Sequence, residues 1–353
     1  MPPVPPSAAA AIDALPGRLV AAVSGGCDSI ALLHLLVACG RRPTVVHVRH
    51  GLRSDADDAG DASFVEQVAA SLGLPCRVVA VAVDRDQASL EDAARQARYA
   101  ALAREAARDG SLEDKPASDG AAVVTGHTRD DQVETVLFRI ARGCGLDGLA
   151  GMANDVTLRF GDAPPCRVCR PLLAVSRAKL QQWAEAAGLT WRNDPTNASV
   201  RFARNRIRRE VLPAMRAINP QADAALARLA ETAASTAGFV RRVAESRLDD
   251  WLAEADVSGD PLHGQAAIAL PRRFAWLDAA PTEERIAVLR AVWRRLGWPE
   301  RAMTAAHWRR LAESTQPASD ERDANGGVRP RQFDLPGVRV RITGGAVSLT
   351  RRD

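Results

Sequence analysis

Two stretches of the chain carry residue types at spacings that suit chemistry on a phosphorylated substrate. The first is Ser24-Gly25-Gly26-Cys27-Asp28-Ser29, which follows an apolar run and opens a helical one. Two glycines let the backbone approach an anion closely, a helix start offers unpaired N–H groups and a positive dipole end, and the serines add hydroxyl donors. The Gly-Lys-[Ser/Thr] ending of a Walker loop is absent, as is the GxGxxG of dinucleotide folds. Alone, the six residues also read as a Gly-rich turn with Ser29 near a helix cap. Asp28 argues against that reading, because a carboxylate beside phosphates is repulsive unless a divalent cation such as Mg²⁺ or an inbound cationic group compensates.

The second stretch is Asp130-Asp131-x-x-Glu134, preceded by His127. On a helix beginning near residue 129, Asp131 and Glu134 are i, i+3 and Asp130 and Glu134 are i, i+4, so carboxylates gather on one side of the first turn. Acids are also favoured at helix N-termini for their dipole alone. His127 fits a hydrogen-bonded site histidine. His47 and His50, three apart at a strand end, point to opposite faces, which argues against a shared metal. Arg95 and Arg98 beside Tyr99 suit either a phosphate or a solvated face.

These residues need a scaffold that brings distant loops together. Up to about residue 190, short β-rich runs (18–24, 44–47, 77–83, 121–125, 168–172) alternate with helical patterns (29–38, 61–72, 89–109, 130–141, 177–187), which predicts an open, mostly parallel α/β sheet. Both stretches then lie at carboxyl ends of strands, where such sheets bind ligands. Residues 110–120 read as a surface insertion and 155–165 as an irregular hairpin. Beyond Val200 the pattern turns to long Arg/Ala/Leu helices, ending in a small β-hairpin over 332–350. The expected organisation is a flexible leader (1–15), a catalytic domain (16–199) and an Arg-rich helical accessory domain (200–353), with the boundary near 195–215.

Composition narrows the classes further. At 353 residues with 46% hydrophobic and 25% charged, the chain has room for two globular domains. No apolar run approaches the roughly 18 residues of a membrane span. The N-terminus lacks the basic-then-apolar signature of a secretory signal, so a cytoplasmic protein with reduced cysteines is expected. The net charge of +4 is unevenly spread: residues 1–199 hold 21 Lys+Arg against 24 Asp+Glu, and residues 200–353 hold 26 against 19. Lys115 and Lys179 are the only lysines. Arg201, Arg204, Arg206, Arg208, Arg209 and Arg216 crowd a helical stretch in which Glu210 is the sole acid, a pattern that suits RNA phosphates.

The Ser24–Ser29 segment resembles the PP-loop of the ATP pyrophosphatases, which cleave ATP between the α and β phosphates and adenylate a substrate. Residues 46–53 (VHVRHGLR), 91–99 (EDAARQARY), 126–135 (GHTRDDQVET), 139–152 (RIARGCGLDGLAGM), 170–173 (RPLL), 194–197 (DPTN) and 204–208 (RNRIR) resemble, in order, the tRNA(Ile)-lysidine synthetase family. Where members commonly have a second histidine after the one matching His127, this chain has Thr128. The resemblance implies a ligase that joins L-lysine to the first anticodon cytidine of an isoleucine tRNA with a CAU anticodon, with ATP as co-substrate and Mg²⁺ as cofactor. It implies nucleotide contacts from Ser24 to Ser29, catalytic roles for Asp28, His127, Asp131 and Glu134, and substrate contacts from Asp130, Arg95, Arg204, Arg206 and Arg208. Asp131 and Glu134 are left open between anchoring the lysine and accepting its proton, and a homodimer is left open.

Two rival readings remain, a PP-loop tRNA thiolase or other adenylating, amide-forming synthetase, and a non-enzymatic ATP-binding sensor. A PP-loop tRNA thiolase needs a sulfur carrier, for which Cys166-x-x-Cys169 is the candidate, yet i and i+3 on a strand face opposite ways and no second CxxC completes a four-ligand set. A non-enzymatic ATP sensor needs neither the acid cluster nor the arginines.

Overall fold

The computed structural model describes residues 1–49, 51, 55–83, 90–110, 120–192, 203–252, 256–258, 267–271, 279–298, 300, 302–315, 330–343 and 346–352. His50, the 111–119 insertion, Asp194 to Asn197 and Arg201 lie outside them. Two compact units divide the chain, Met1–Ala234 and Ser235–Asp353.

The first unit is built on a six-stranded sheet of order β3-β2-β1-β4-β6-β5. Its strands are β1 (Leu19–Ala22), β2 (Thr44–Arg49), β3 (Cys76–Ala80), β4 (Ala122–Thr125), β5 (Asp155–Leu158) and β6 (Cys166–Cys169). All pairings are parallel except that of β5 with β6. The near-continuous Val/Ala/Leu runs of β1, β2 and β4 suit strands covered on both faces. The 155–165 hairpin expectation corresponds to β5 turning back on β6.

Helices α1 (Pro6–Asp13), α2 (Cys27–Ala38), α3 (Asp55–Ser71), α4 (Leu90–Gly110), α5 (Arg129–Ala141), α6 (Leu146–Leu149) and α7 (Arg177–Ala186) accompany the strands. One core unites α1, α2 and α7 with one sheet face through Ile12, Leu33, Val45, Val124, Cys169 and Leu180. The other face packs Val20, Val46, Val123, Cys166 and Val168 against Tyr99 and Leu102 of α4. Within residues 1–15, Pro6 starts α1, and fully buried Ala8 and Ile12 dock it into the first core.

After the sheet come α8 (Ala203–Arg206), a π-helical turn (Ile207–Val211), α9 (Leu212–Ile218) and α10 (Ala222–Leu252). Val133 of α5 packs with Ile207, Leu212 and Leu226. That apolar contact ties these helices to the sheet within the compact unit that runs to Ala234.

The second unit holds β7 (Asp256–Ser258), β8 (Ala267–Pro271), α11 (Thr282–Arg295), α12 (Ala305–Ser314), β9 (Arg331–Leu335), β10 (Val338–Ile342) and β11 (Ala346–Arg351). Gly337, at φ 72°, supplies the left-handed turn between β9 and β10. The terminal hairpin belongs to an antiparallel sheet of order β7-β8-β11-β10-β9. Its inner face packs Val338, Val340, Val347 and Leu349 against Trp293 and Trp308.

Candidate active site

Strand order places the chemistry. β1 and β4 are neighbours in the sheet although about a hundred residues separate them, so the loops leaving their carboxyl ends meet. Gly126 makes the approach possible: a Cβ there would sit 2.8 Å from the Asp28 carbonyl oxygen and 3.2 Å from the Ser29 nitrogen.

Within the 24–29 loop, Gly25 takes φ 91°, and Gly26 caps α2 without any side-chain bond to the first-turn N–H groups. The Ser29 hydroxyl donates to the Gly26 carbonyl at 2.9 Å and accepts from the Ser24 N–H at 3.2 Å, folding the loop over the helix start. The result is an N–H cradle at the positive end of a twelve-residue helix.

Facing it, α5 presents its acids. Thr128 donates both its N–H and its hydroxyl to Asp131 Oδ2 at 2.8 Å, which fixes that carboxylate at the helix start. Arg177, at the start of α7, then ties the acids together. Its Nε donates to Asp28 Oδ2 and its Nη2 to Asp131 Oδ1, both at 2.9 Å, with Nη1 3.9 Å from Glu134 Oε1. Its backbone N–H donates to Asp130 Oδ2 at 2.7 Å. Arg208, from the π turn, donates to both oxygens of the same Glu134, at 2.6 and 3.1 Å.

The electrostatics differ from acid to acid. Burial opposes ionisation of Asp131, but the Arg177 charge and the Thr128 donors outweigh it and hold the carboxyl below its usual range. Burial wins at Asp28, raising its carboxyl despite Arg177, and at Glu134 despite Arg208. The Oδ1 of Asp28 is buried without a hydrogen-bond partner. His127 shares a 2.7 Å hydrogen bond with the Thr125 hydroxyl, and burial together with Arg170, Arg95 and Arg98 keeps its imidazole neutral against the opposing pull of Asp131.

The structure brings together Ser24 to Ser29, Asp28, Asp130, Asp131, Glu134 and Arg208. Arg206 instead points to Glu210 at 3.1 Å on the exposed side of its helix. Arg95 lies over the Tyr99 ring at 5.0 Å. His47 is bonded through Nδ1 to the Val23 carbonyl at 2.9 Å, a structural tie between strands. Cys166 and Cys169 are buried in the two different cores on opposite sheet faces, and burial pushes both thiols up to about 11. Among the described residues, no group of three or more His, Cys, Asp or Glu forms a metal cage. No helix among them is long and apolar enough to cross a membrane.

Arg177 was not foreseen from sequence. It lies 46 residues from Asp131 and 149 from Asp28, so no local spacing marks it. The usable signal was charge arithmetic: three converging acids require a cation.

Residues 8–215 match the PP-loop domain family. The chain is 40% identical over 281 residues to the tRNA(Ile)-lysidine synthase of Pseudomonas aeruginosa, covering 74% of this chain and 59% of that protein. It is 38% identical over 289 residues to that of a Bradyrhizobium species, covering 80% and 75%. The chain thus spans about three fifths of the length of the Pseudomonas relative. Among solved structures, a U34-tRNA thiolase from Methanococcus maripaludis with a [4Fe-4S] cluster shares the fold, with TM-score 0.51 at 16% identity over 64% of this chain and 76% of that one. The N–H cradle, the acids facing it across the β1–β4 junction and the match over residues 8–215 agree: this chain belongs to the tRNA(Ile)-lysidine synthase family of PP-loop proteins.

Proposed function

We propose that this chain ligates L-lysine to the first anticodon cytidine of an isoleucine tRNA bearing CAU, with ATP as co-substrate. The observation that carries this reading is the convergence of Asp28, Asp131 and Glu134 on one cationic group beside an N–H cradle for phosphates. An acid pocket that already holds a guanidinium suits an incoming ammonium, and the cradle suits the triphosphate.

In the first step the cytosine carbonyl oxygen attacks the α-phosphorus and pyrophosphate leaves. The N–H groups at the start of α2 and the Ser24 and Ser29 hydroxyls hold the phosphates. The unpaired Oδ1 of Asp28 suits Mg²⁺, which commonly uses one carboxylate plus substrate phosphates; bound there, it would neutralise phosphate charge. In the second step the lysine ε-nitrogen, stripped of a proton, attacks carbon 2 of the cytosine, and AMP leaves with the former carbonyl oxygen. Asp131, held ionised, is assigned to anchor the amine. Glu134, whose carboxyl is raised by burial, is assigned to take the proton. Neutral His127 is assigned as a hydrogen-bonding neighbour of the phosphates. The arginines from Arg204 onward and the second unit are assigned to the tRNA, and the cytoplasm is the expected compartment.

The deciding experiment incubates the protein with ATP, Mg²⁺, labelled lysine and CAU-bearing isoleucine tRNA transcript. Incorporation from lysine alone, lost in Ser29→Ala, is expected. Equal incorporation from another amino acid, or none into a competent transcript, rejects the reading.

A further inference from the structure

A second group of cations lies alongside the acid site. Arg139 donates from Nη1 to the carbonyls of Gly151 at 2.6 Å and Gly148 at 3.2 Å, while Arg170 donates from Nη1 to the carbonyl of Ala153 at 2.7 Å. Between them, Gln132 holds both the N–H and the carbonyl of Met152. The two guanidinium groups are therefore anchored on carbonyls two residues apart, a span of at most about 7 Å along the chain. Arg204 lies on α8, which packs against α5, the helix that carries Arg139, and Arg95 lies over the Tyr99 ring at 5.0 Å; after burial, the charges of Arg204, Arg95 and Arg170 oppose the Arg139 cation, and Arg170 and Arg95 also act on His127.

What this group lacks is an anion. Arg177 and Arg208 each have carboxylates at bonding distance. Among the described residues, none of Arg95, Arg139, Arg170 and Arg204 has a carboxylate within 4.0 Å. Arg170 is only 3% exposed and its buried Nε has no partner. A guanidinium does not shed its proton at accessible pH, so a buried one without a counter-charge is costly and favours a ligand that supplies the charge.

We propose that Arg95, Arg139, Arg170 and Arg204 form a receptor for a single phosphodiester of the RNA strand, distinct from the cradle that takes ATP. The planar forks suit phosphate oxygens. Two observations favour a nucleic-acid phosphate over one from ATP. The triphosphate already has its own N–H groups at the start of α2. In addition, Ile140 and Leu146, at the end of α5 and the start of α6, are 44% and 38% exposed, offering apolar surface to the ribose or base attached to such a phosphate. The proposal rests on an RNA being the substrate, and its test is a binding measurement that requires no lysine transfer.

The test uses the full chain and an unmodified CAU transcript, with filter binding across a salt series for Arg204→Gln, Arg139→Gln and the double variant. Arg204 makes no hydrogen bond to a described residue, so R204Q carries the conclusion even if R139Q, which loses two loop bonds, folds poorly. Each single variant is expected to weaken RNA binding about tenfold. The fall in the slope of log affinity against log salt should not exceed about 0.9 for the pair, the value of one phosphate. ATP affinity should stay within about twofold of wild type. A combined slope loss near twice that value means separate phosphates, and weakened ATP binding with unchanged RNA binding means the cluster serves the triphosphate. Either result, or no change in either ligand, overturns the receptor. If wild type transfers no lysine while R204Q still shows the RNA effect, the proposed reaction fails and the receptor stands.

Discussion

Arg208 grips both oxygens of Glu134, at 2.6 and 3.1 Å, across 74 residues of sequence. Burial raises the Glu134 carboxyl and Arg208 offsets part of that rise. In Arg208→Gln the carboxyl should climb further, so the carboxylate proposed above to take the lysine proton would be populated only at higher pH. The acid limb of the pH–rate profile for lysine transfer should then move upward, with ATP affinity unchanged. A limb that stays in place would put the base elsewhere.

Removing the central cation should be severe. In Arg177→Met, Asp28, Asp131 and Glu134 lose their shared partner, and breaking such a half-buried pair costs about 3 kcal/mol. The folded pKa of Asp131 is depressed, so its contribution is present above the ordinary aspartate value and is lost as pH falls through the folded value. Asp28 is raised, so its ionisation weakens the fold as pH climbs, and more so without Arg177. Urea unfolding at several pH values should therefore show the wild-type advantage widest near neutrality and shrinking below about pH 4.

Gly126→Ala places a methyl group 2.8 Å from the Asp28 carbonyl. Backbone must move to accept it, at about 1–3 kcal/mol. The shift falls on the cradle, so ATP affinity should drop more than RNA affinity. Equal losses in both would mean that the strain spreads through the whole sheet.

The paired variant Cys166→Ala/Cys169→Ala should keep lysine transfer near the wild-type rate, because the two thiols sit in separate cores and are pushed up to about 11. Loss of transfer with a normal melting curve would revive sulfur chemistry.

The α/β alternation, the loop at Ser24–Ser29 and the acids on α5 were legible because each is a local pattern: strand period, glycine spacing, helical i, i+4 offsets. Arg177 and the Arg139–Arg170 pair were not, since their partners come from the tertiary fold. In sequence Arg177 looks like ordinary helix punctuation after Ser176, which does cap α7. Helix α1 was missed because only Ala8 and Ile12 are fully buried in it, too few for a visible apolar stripe. The terminal hairpin was legible from its alternation around Gly337, whereas β7 and β8, which extend it to five strands, lie two helices away in sequence. The apolar contact that joins α5 to Ile207, Leu212 and Leu226 was not legible because those side chains are scattered among arginines.

The π turn at Ile207–Val211 also bears on how such a chain can change. Arg206 faces Glu210 on the exposed side while Arg208, two positions on, reaches Glu134. Which arginine faces inward is a matter of helical phase, and a wide turn amounts to an extra residue held within the helix. A single-codon deletion in this stretch would rotate the preceding segment by about 100° relative to α9. Loss of Val211 would carry Arg208 off Glu134 without bringing Arg206, about 200° away, into its place and with no charge altered, so a reading-frame-preserving deletion here would cut the link between the arginine-rich segment and the acid pocket while leaving every ionisable side chain in the chain.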